Sequence, residues 1–194
     1  MKNNCLTGIV LAGGKSSRMG SDKSLLVINK KTFIENIIEA LKPNVDDIII
    51  IENSGLHFSL GYKIYKDIFT DCGPLGGIYT ALTHSKTQKN IILSCDMPLI
   101  SSDVLKYLIK CTGEEQVTIV TDKGKLEPLC AIYNKTCLPI VESCLKSNNL
   151  KLKDVLKQLN IKEIEVSNQT FYSPNLISNI NTLSEYKRIT NSKW

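Results

Sequence analysis

Thirteen residues near the start of the chain, Leu11-Ala12-Gly13-Gly14-Lys15-Ser16-Ser17-Arg18-Met19-Gly20-Ser21-Asp22-Lys23, concentrate three glycines, two lysines and an arginine. Glycines let a backbone approach a phosphate closely and aim several N–H groups at it. Lys15, Arg18 and Lys23 can neutralise phosphate oxygens, and a guanidinium can do so through two parallel hydrogen bonds. Arg18 stands out because the chain has only two arginines, Arg18 and Arg188, against 22 lysines. The glycine spacing fits neither the G-x-x-x-x-G-K-[ST] loop nor the G-x-G-x-x-G fingerprint. On glycine and basic density alone, a solvated flexible loop is an equal reading.

Further polar residues fall at comparable places. Asp96 follows an apolar run and precedes Met97-Pro98, where proline stops a strand from continuing. A carboxylate there suits Mg²⁺, which favours one or two carboxylates plus substrate phosphates and waters; a turn-capping Asp is the plain alternative. Gly73-Pro74-Leu75-Gly76-Gly77 opens a helix with proline in its first turn. Its glycines allow either close approach of a ligand or a tight strand-to-helix connection. Asn53, Asp67 and Asp71 follow strand-like runs. Asn53 reads equally well as a turn residue.

The elements that must position these residues alternate between buried strands and amphipathic helices. Strands are expected at Cys5–Leu11, Ile48–Ile51, Tyr62–Tyr65, Asn90–Cys95, Val117–Thr121, Leu129–Tyr133 and Ile164–Val166. Four consecutive isoleucines at 48–51 indicate a strand covered on both faces, as in parallel sheets. Asp122-Lys123-Gly124-Lys125 is expected to be a hairpin turn. Helices are expected over Thr32–Leu41, with Thr32 and Glu35 as a capping box, over Gly73–His84, and from Ser101 or Ser102 to about Lys110. Others follow over 136–146, over 151–159 and after the Thr182/Glu185 capping box. The pattern implies an α/β fold, a three-layer sandwich around a mostly parallel, Rossmann-like sheet. Right-handed crossovers gather the loops that follow the strands on one edge, where ligands bind in such sheets. Segments 12–23, 67–77 and 96–98 all fall there, so one site is expected.

Composition bounds the alternatives. The 194 residues are 42% apolar and 22% charged, ordinary for a globular protein and against a disordered chain. The longest apolar runs, such as Leu129–Tyr133, are far short of the roughly 20 residues that span a bilayer. The net charge of +5 comes from dispersed lysines, which fits a solvated surface and an anionic small substrate better than a nucleic-acid face. Seven cysteines with no C-x-x-C pair, and only two histidines, indicate a reducing compartment and no zinc-ligand spacing. The segment from Met1 to Gly14 reads as a first strand and its loop, not a signal peptide, so a cytoplasmic location is expected. His57 and His84 are expected in a loop and on a helix surface.

The full string LAGGKSSRMGSDK resembles the signature loop of nucleotidyltransferases that activate small phosphorylated molecules. With Gly73-Pro74-Leu75-Gly76-Gly77, Cys95-Asp96-Met97-Pro98 and Asn179-Ile180-Asn181-Thr182 in the same order, the chain most resembles the molybdenum cofactor guanylyltransferases. The four matches span nearly its whole length. The resemblance implies the nucleotide-diphospho-sugar transferase type of fold and a single nucleotidyltransferase domain over 1–194. Its nucleotide-binding half would be about 1–100 and its acceptor-binding half about 101–194. It implies GMP transfer from GTP to the phosphate of molybdenum-molybdopterin, with release of pyrophosphate and Mg²⁺ as cofactor. GTP would meet Leu11, Ala12, Gly13, Gly14, Lys15, Lys23, Asn53, Asp67, Gly76 and Asp96. Arg18, Lys23 and Asp96 would be catalytic, Asp96 would also hold the metal, and Asn179 and Asn181 would bind the acceptor.

Asp71 stays a rival to Asp67 at the guanine. Glu127-Pro128-Leu129 falls where the family usually has a polar residue before Pro-Leu. Glu127 is acidic, which sits oddly beside a phosphorylated pterin, although a carboxylate could bond to pterin N–H groups; Asn179 and Asn181 are the better acceptor candidates. Expected partners are GTP, molybdopterin and a transient molybdoenzyme or insertion protein, with no nucleic acid and no membrane. A sister enzyme using CTP or another nucleoside triphosphate, and a nucleotide-binding regulator without catalysis, are the competing readings. Cys72 and Cys95 flank the motifs, but direct transfer needs no covalent intermediate.

Overall fold

The computed structural model describes residues 5–13, 23–56 and 58–191. Gly14, Lys15, Arg18 and His57 lie outside the described residues.

Strand β1 (Leu6–Leu11) is followed by the short β2 (Val27–Ile28) and β3 (Lys31–Thr32), which pair antiparallel. Next come α1 (Phe33–Leu41), β4 (Asp47–Ile51), β5 (Lys63–Tyr65), α2 (Gly73–His84) and β6 (Lys89–Ser94). The second half holds α3 (Ser102–Cys111), β7 (Val117–Asp122), β8 (Lys125–Asn134) and α4 (Leu138–Lys146). Helix α5 (Leu152–Leu156), β9 (Ile161–Glu165) and α6 (Leu183–Asn191) complete it.

The main sheet has seven strands in the order β5-β4-β1-β6-β8-β7-β9. Neighbours are parallel except that β8 runs antiparallel to both β6 and β7. Along the central strands, alternate residues enter opposite layers. Val10, Ile48, Ile50, Ile91 and Leu93 pack with α1 and α3. Ile9, Leu11, Ile49, Ile51 and Ile92 pack with α2 and α4. Both faces of the sheet are therefore apolar, which explains the unbroken isoleucine run. The resulting three-layer α/β sandwich is the expected fold class.

Local signals hold where their chemistry is complete. Thr32 and Glu35 form the reciprocal capping box that starts α1, since Glu35 N–H donates to Thr32 Oγ1 and Glu35 Oε2 accepts from Thr32 N–H. Thr182 and Glu185 repeat the arrangement before α6. Lys123 and Gly124 have φ of 51° and 77°, the left-handed pair that a tight two-residue hairpin needs.

Several boundaries differ from expectation. Strand β9 begins at Ile161, three residues before Ile164, because parallel pairing of Val117 with Ile161 extends it along exposed Lys162 and Glu163. Strand β8 runs from Lys125, with a register break where Ile119 faces Ala131 while Val120 faces Glu127. The helix expected over 136–146 starts with a 3₁₀ turn at Lys135–Cys137, and the one expected over 151–159 is helical only over Leu152–Leu156. Ser101 is the N-cap of α3 by backbone conformation and makes no side-chain capping bond. The β2–β3 ribbon was not expected; Asn29 and Lys30, with φ of 53° and 68°, turn it.

Candidate active site

Sheet order directs the site. From β1 the chain goes outward to β4 and β5, then crosses back through α2 to β6 on the other side of β1. The strand order therefore reverses at β1, the position at which open sheets of this kind leave a ligand crevice beyond the C-terminal strand ends. Gly13 follows β1, Asn53 follows β4, Asp67 follows β5 and Asp96 follows β6. Ala12 N–H donates to Ile51 carbonyl at 2.9 Å and Cys95 N–H to Leu11 carbonyl at 3.1 Å. The three strand ends are thus tied together before their loops diverge. Leu11 and Ala12 are buried under the crevice, and Gly13 is exposed with nothing within 4 Å of the position its Cβ would take.

On one side of the crevice, Asn53 and Asp67 bind each other twice. Asn53 Nδ2 donates to Asp67 Oδ2 at 2.9 Å, and Asp67 N–H donates to Asn53 Oδ1 at 3.0 Å. This pairing fixes the Asn53 amide and leaves Asp67 Oδ1 buried without a hydrogen-bond partner. Burial pushes the Asp67 carboxyl above the usual carboxylate range, opposed by the bond from Asn53. Asp71, the rival, is exposed and sits at a φ of 58° in the turn before α2. The orphaned oxygen favours Asp67 as the acid with something left to bind.

The glycines of α2 serve close packing at this point. A Cβ at Gly76 would stand 2.7 Å from Phe69 carbonyl oxygen. One at Gly77 would stand 3.2 Å from Leu11 Cδ2 and 3.8 Å from Asp67 Oδ1. Helix α2 is therefore drawn against both the β1 end and the Asp67 loop. Ile68 N–H donates to Thr80 Oγ1 at 2.9 Å, which adds a second clamp.

On the other side, Asp96 is the centre of a polar group drawn from the whole length of the chain. Its Oδ1 is buried and has no hydrogen-bond partner. Burial raises its carboxyl above the usual range; the Ser94 side chain and the Lys23 charge oppose this, and the Glu127 charge adds to it. Asp96 carbonyl accepts from Ile180 N–H at 2.8 Å, which holds the 179–181 segment against the loop. Lys23 Nζ donates to Asn181 Oδ1 at 2.6 Å, and Asn179 Nδ2 donates to Glu127 Oε2 at 3.1 Å. Lys23, Asp96, Asn179 and Asn181 are thus brought together, as the sequence suggested.

Glu127 is the residue that sequence reasoning undervalued. It is only 6% exposed, and its Oε1 meets Lys125 Nζ at 2.5 Å. The register break after Ile119 turns it inward, as bulges beside active sites re-aim side chains. The available signal was Pro128, since proline inside a strand marks an edge or a bulge.

Among the described residues, no group of three or more His, Cys, Asp or Glu side chains could hold a metal ion. That excludes a preformed cage of these residues but not Mg²⁺, which takes one or two carboxylates and completes its shell with phosphate oxygens and water. The orphaned Oδ1 of Asp96 fits such an ion, arriving with a nucleotide.

The sequence profile of the MobA-like NTP transferase domain matches residues 8–164. The chain belongs to this family. A probable molybdenum cofactor guanylyltransferase of Flavobacterium johnsoniae is 46% identical over 166 residues, covering 82% of this chain and 87% of the relative. One of Clostridium perfringens is 37% identical over 195 residues, covering 95% and 96%. Among solved structures, molybdopterin-guanine dinucleotide biosynthesis protein A of Archaeoglobus fulgidus superposes with a TM-score of 0.79 at 25% identity, covering 95% of this chain and 96% of that one. A nucleotidyl transferase of Methanothermobacter thermautotrophicus, at 18% identity and a TM-score of 0.76, shares the fold. In this MobA-like domain the two orphaned carboxylate oxygens follow strands on opposite sides of β1.

Proposed function

We propose that this MobA-like enzyme transfers GMP from GTP to the phosphate of molybdenum-molybdopterin, releasing pyrophosphate and forming the guanine dinucleotide form of the cofactor. The observation that carries the reading is the pair of buried, unpartnered oxygens on Asp67 and Asp96, on opposite sides of one crevice. The similarity to proteins named molybdenum cofactor guanylyltransferase over most of the chain supports the choice of substrates.

Attack of one phosphate on another is opposed chiefly by charge repulsion, so the protein must supply positive charge and alignment. In this reading Lys15, Arg18 and Lys23 hold the triphosphate and the departing pyrophosphate, with the Gly13-Gly14 backbone close to the phosphates. Leu11 and Ala12 floor the base pocket. Asp67, steadied by Asn53, accepts the N–H edge of guanine, and Gly76 contributes the close packing that brings α2 to that pocket. Asp96 holds Mg²⁺, whose charge offsets that of the phosphates when bound. Asn179 and Asn181 receive the acceptor.

The chain is read as one nucleotidyltransferase domain, with about 1–100 serving the nucleotide and about 101–194 the acceptor. No helix among the described residues is long and apolar enough to cross a membrane. A cytoplasmic location, a transient molybdoenzyme or insertion-protein partner, and the absence of nucleic-acid and membrane partners belong to the same proposal.

The test is thermal stabilisation of the purified protein by GTP, CTP, ATP and UTP, each with and without Mg²⁺, followed by pyrophosphate release with molybdopterin. Selective, Mg²⁺-dependent stabilisation by GTP and release only with the acceptor are expected. Preference for CTP or UTP would replace the guanylyl reading with a sister transferase. Binding without pyrophosphate release would favour a regulator.

A further inference from the structure

The two asparagines of the 179–181 segment are held by partners of opposite charge. A carboxylate can only accept, so Glu127 must take the Nδ2 end of Asn179; the bond is 3.1 Å. An ammonium can only donate, so Lys23 must take the Oδ1 end of Asn181; that bond is 2.6 Å. Between them, fully buried Ile180 is anchored by its N–H to Asp96 carbonyl. The chemistry of the partners therefore sets both amide orientations. Asn179 keeps an oxygen to offer, and Asn181 keeps N–H groups.

The field around the two differs in the same sense. The Asn179 end carries the buried carboxylate of Glu127, with the exposed Lys125 ammonium as its counter-ion. The Asn181 end carries Lys23. A ligand with an N–H-rich ring at one end and a phosphate at the other matches this polarity in only one direction. The acidity of Glu127 then ceases to be a mismatch with a phosphorylated pterin, because it serves the ring and not the phosphate.

Resting on the guanylyl-transfer reading, we propose that Glu127 is a positioning residue for the acceptor. By holding Nδ2 of Asn179 it keeps Oδ1 of that amide ready to accept an N–H of the pterin ring. Lys23, by holding Oδ1 of Asn181, keeps an amide N–H ready for the acceptor's phosphate. Lys125, paired with Glu127 at 2.5 Å, keeps that carboxylate in place.

The test compares Glu127→Ala with Glu127→Gln, since a glutamine oxygen can still accept from Asn179. The first readout needs no substrate: the side-chain amide resonances of Asn179 in ¹⁵N-labelled protein, assigned by their loss in Asn179→Ala. Their slowed exchange with solvent should vanish in Glu127→Ala and persist in Glu127→Gln. The second is steady-state transfer. Glu127→Ala should raise the KM for molybdopterin about tenfold, the effect of one lost hydrogen bond to a held group, and move the KM for GTP by less than about twofold. Glu127→Gln should recover most of the loss. Unchanged Asn179 amide exchange in Glu127→Ala overturns the proposal. So does an equal rise in both KM values accompanied by a fall in Tm, which would mark a merely structural residue. A raised Mg²⁺ requirement with an unchanged acceptor KM would instead make Glu127 a metal ligand. Absence of transfer by the unmutated protein would overturn the guanylyl-transfer reading itself, and the acceptor assignment with it.

Discussion

Lys23 Nζ lies 2.6 Å from Asn181 Oδ1, a bond that joins positions 158 residues apart at the mouth of the crevice. The ammonium at the end of the glycine-rich loop thus reaches the late Asn-Ile-Asn segment directly, and its charge also bears on Asp96.

Lys23→Ala should therefore separate catalysis from stability. The hydrogen bond is solvent-exposed and contributes about 1 kcal/mol or less to folding. Loss of a preorganised cation facing the phosphates should lower kcat/KM for GMP transfer by about 10²–10³-fold. Steady-state pyrophosphate release and a thermal melt on the same sample check both halves. A drop in Tm matching the loss of rate would contradict the assignment.

Asp96→Asn should have the opposite signature to an ordinary buried substitution. Burial disfavours the ionised carboxylate at this position, so neutralising it removes a cost and should leave Tm equal to or above that of the unmutated protein. Transfer should fall by about 10³-fold, because the Mg²⁺ ligand is gone. A clearly lowered Tm would show that Asp96 serves the fold.

Asp67 and Asp71 are distinguishable by nucleotide preference. Asp67→Ala should weaken GTP binding about tenfold and reduce its advantage over ITP, which lacks the 2-amino group. Asp71→Gly should leave that preference intact, because the residue sits in a left-handed turn that glycine adopts freely. Competition binding with GTP and ITP checks the pair. The reverse result would move the guanine contact to Asp71.

Gly76→Ala and Gly13→Ala should diverge. The new methyl at 76 would press on Phe69 carbonyl oxygen at 2.7 Å and should destabilise the fold by about 1–3 kcal/mol. At 13 it meets nothing within 4 Å, so stability should change by less than about 0.5 kcal/mol while nucleotide binding weakens. Urea unfolding and GTP titration report the two effects.

Glu165 provides a pH-dependent test of the β7–β8 hairpin. Hydrogen bonds from Ser167 and from the Gly124 and Lys123 backbone hold its carboxyl at about 2, against an ordinary 4.5. A depressed carboxyl stabilises the fold above its unfolded value and loses that contribution as pH falls towards the folded one. The Tm gap between the unmutated protein and Glu165→Gln should thus be constant above about pH 5 and close between about pH 4.5 and pH 2. A gap independent of pH would mean that the bonds do not depend on the charge.

Much of this was legible in the residues alone, wherever the deciding contacts are local. The Thr32/Glu35 and Thr182/Glu185 boxes close within four residues, so two helix starts can be read directly. The 48–51 isoleucine run declares a strand covered on both faces because no solvent-facing alternation interrupts it. The loop after β1, Asp96 and the late asparagines stand out as candidate site material by residue type and order. The start of β9 is not legible because exposed Lys162 and Glu163 carry no apolar pattern, and only pairing with β7 makes those residues a strand.

Partner choice could not be read locally. Whether Asp67 or Asp71 retains a free buried oxygen depends on the hydrogen bonds that Asn53 makes across the β4–β5 edge. That Glu127 is buried against Asn179, and not in a solvated hairpin, follows from the insertion of antiparallel β8 between β6 and β7 and from its register break. The residue types supplied the charges and amides. Sheet order decided which of them meet, because contacts across 50 to 160 residues are fixed by packing of the whole layer and not by any property of the segments themselves.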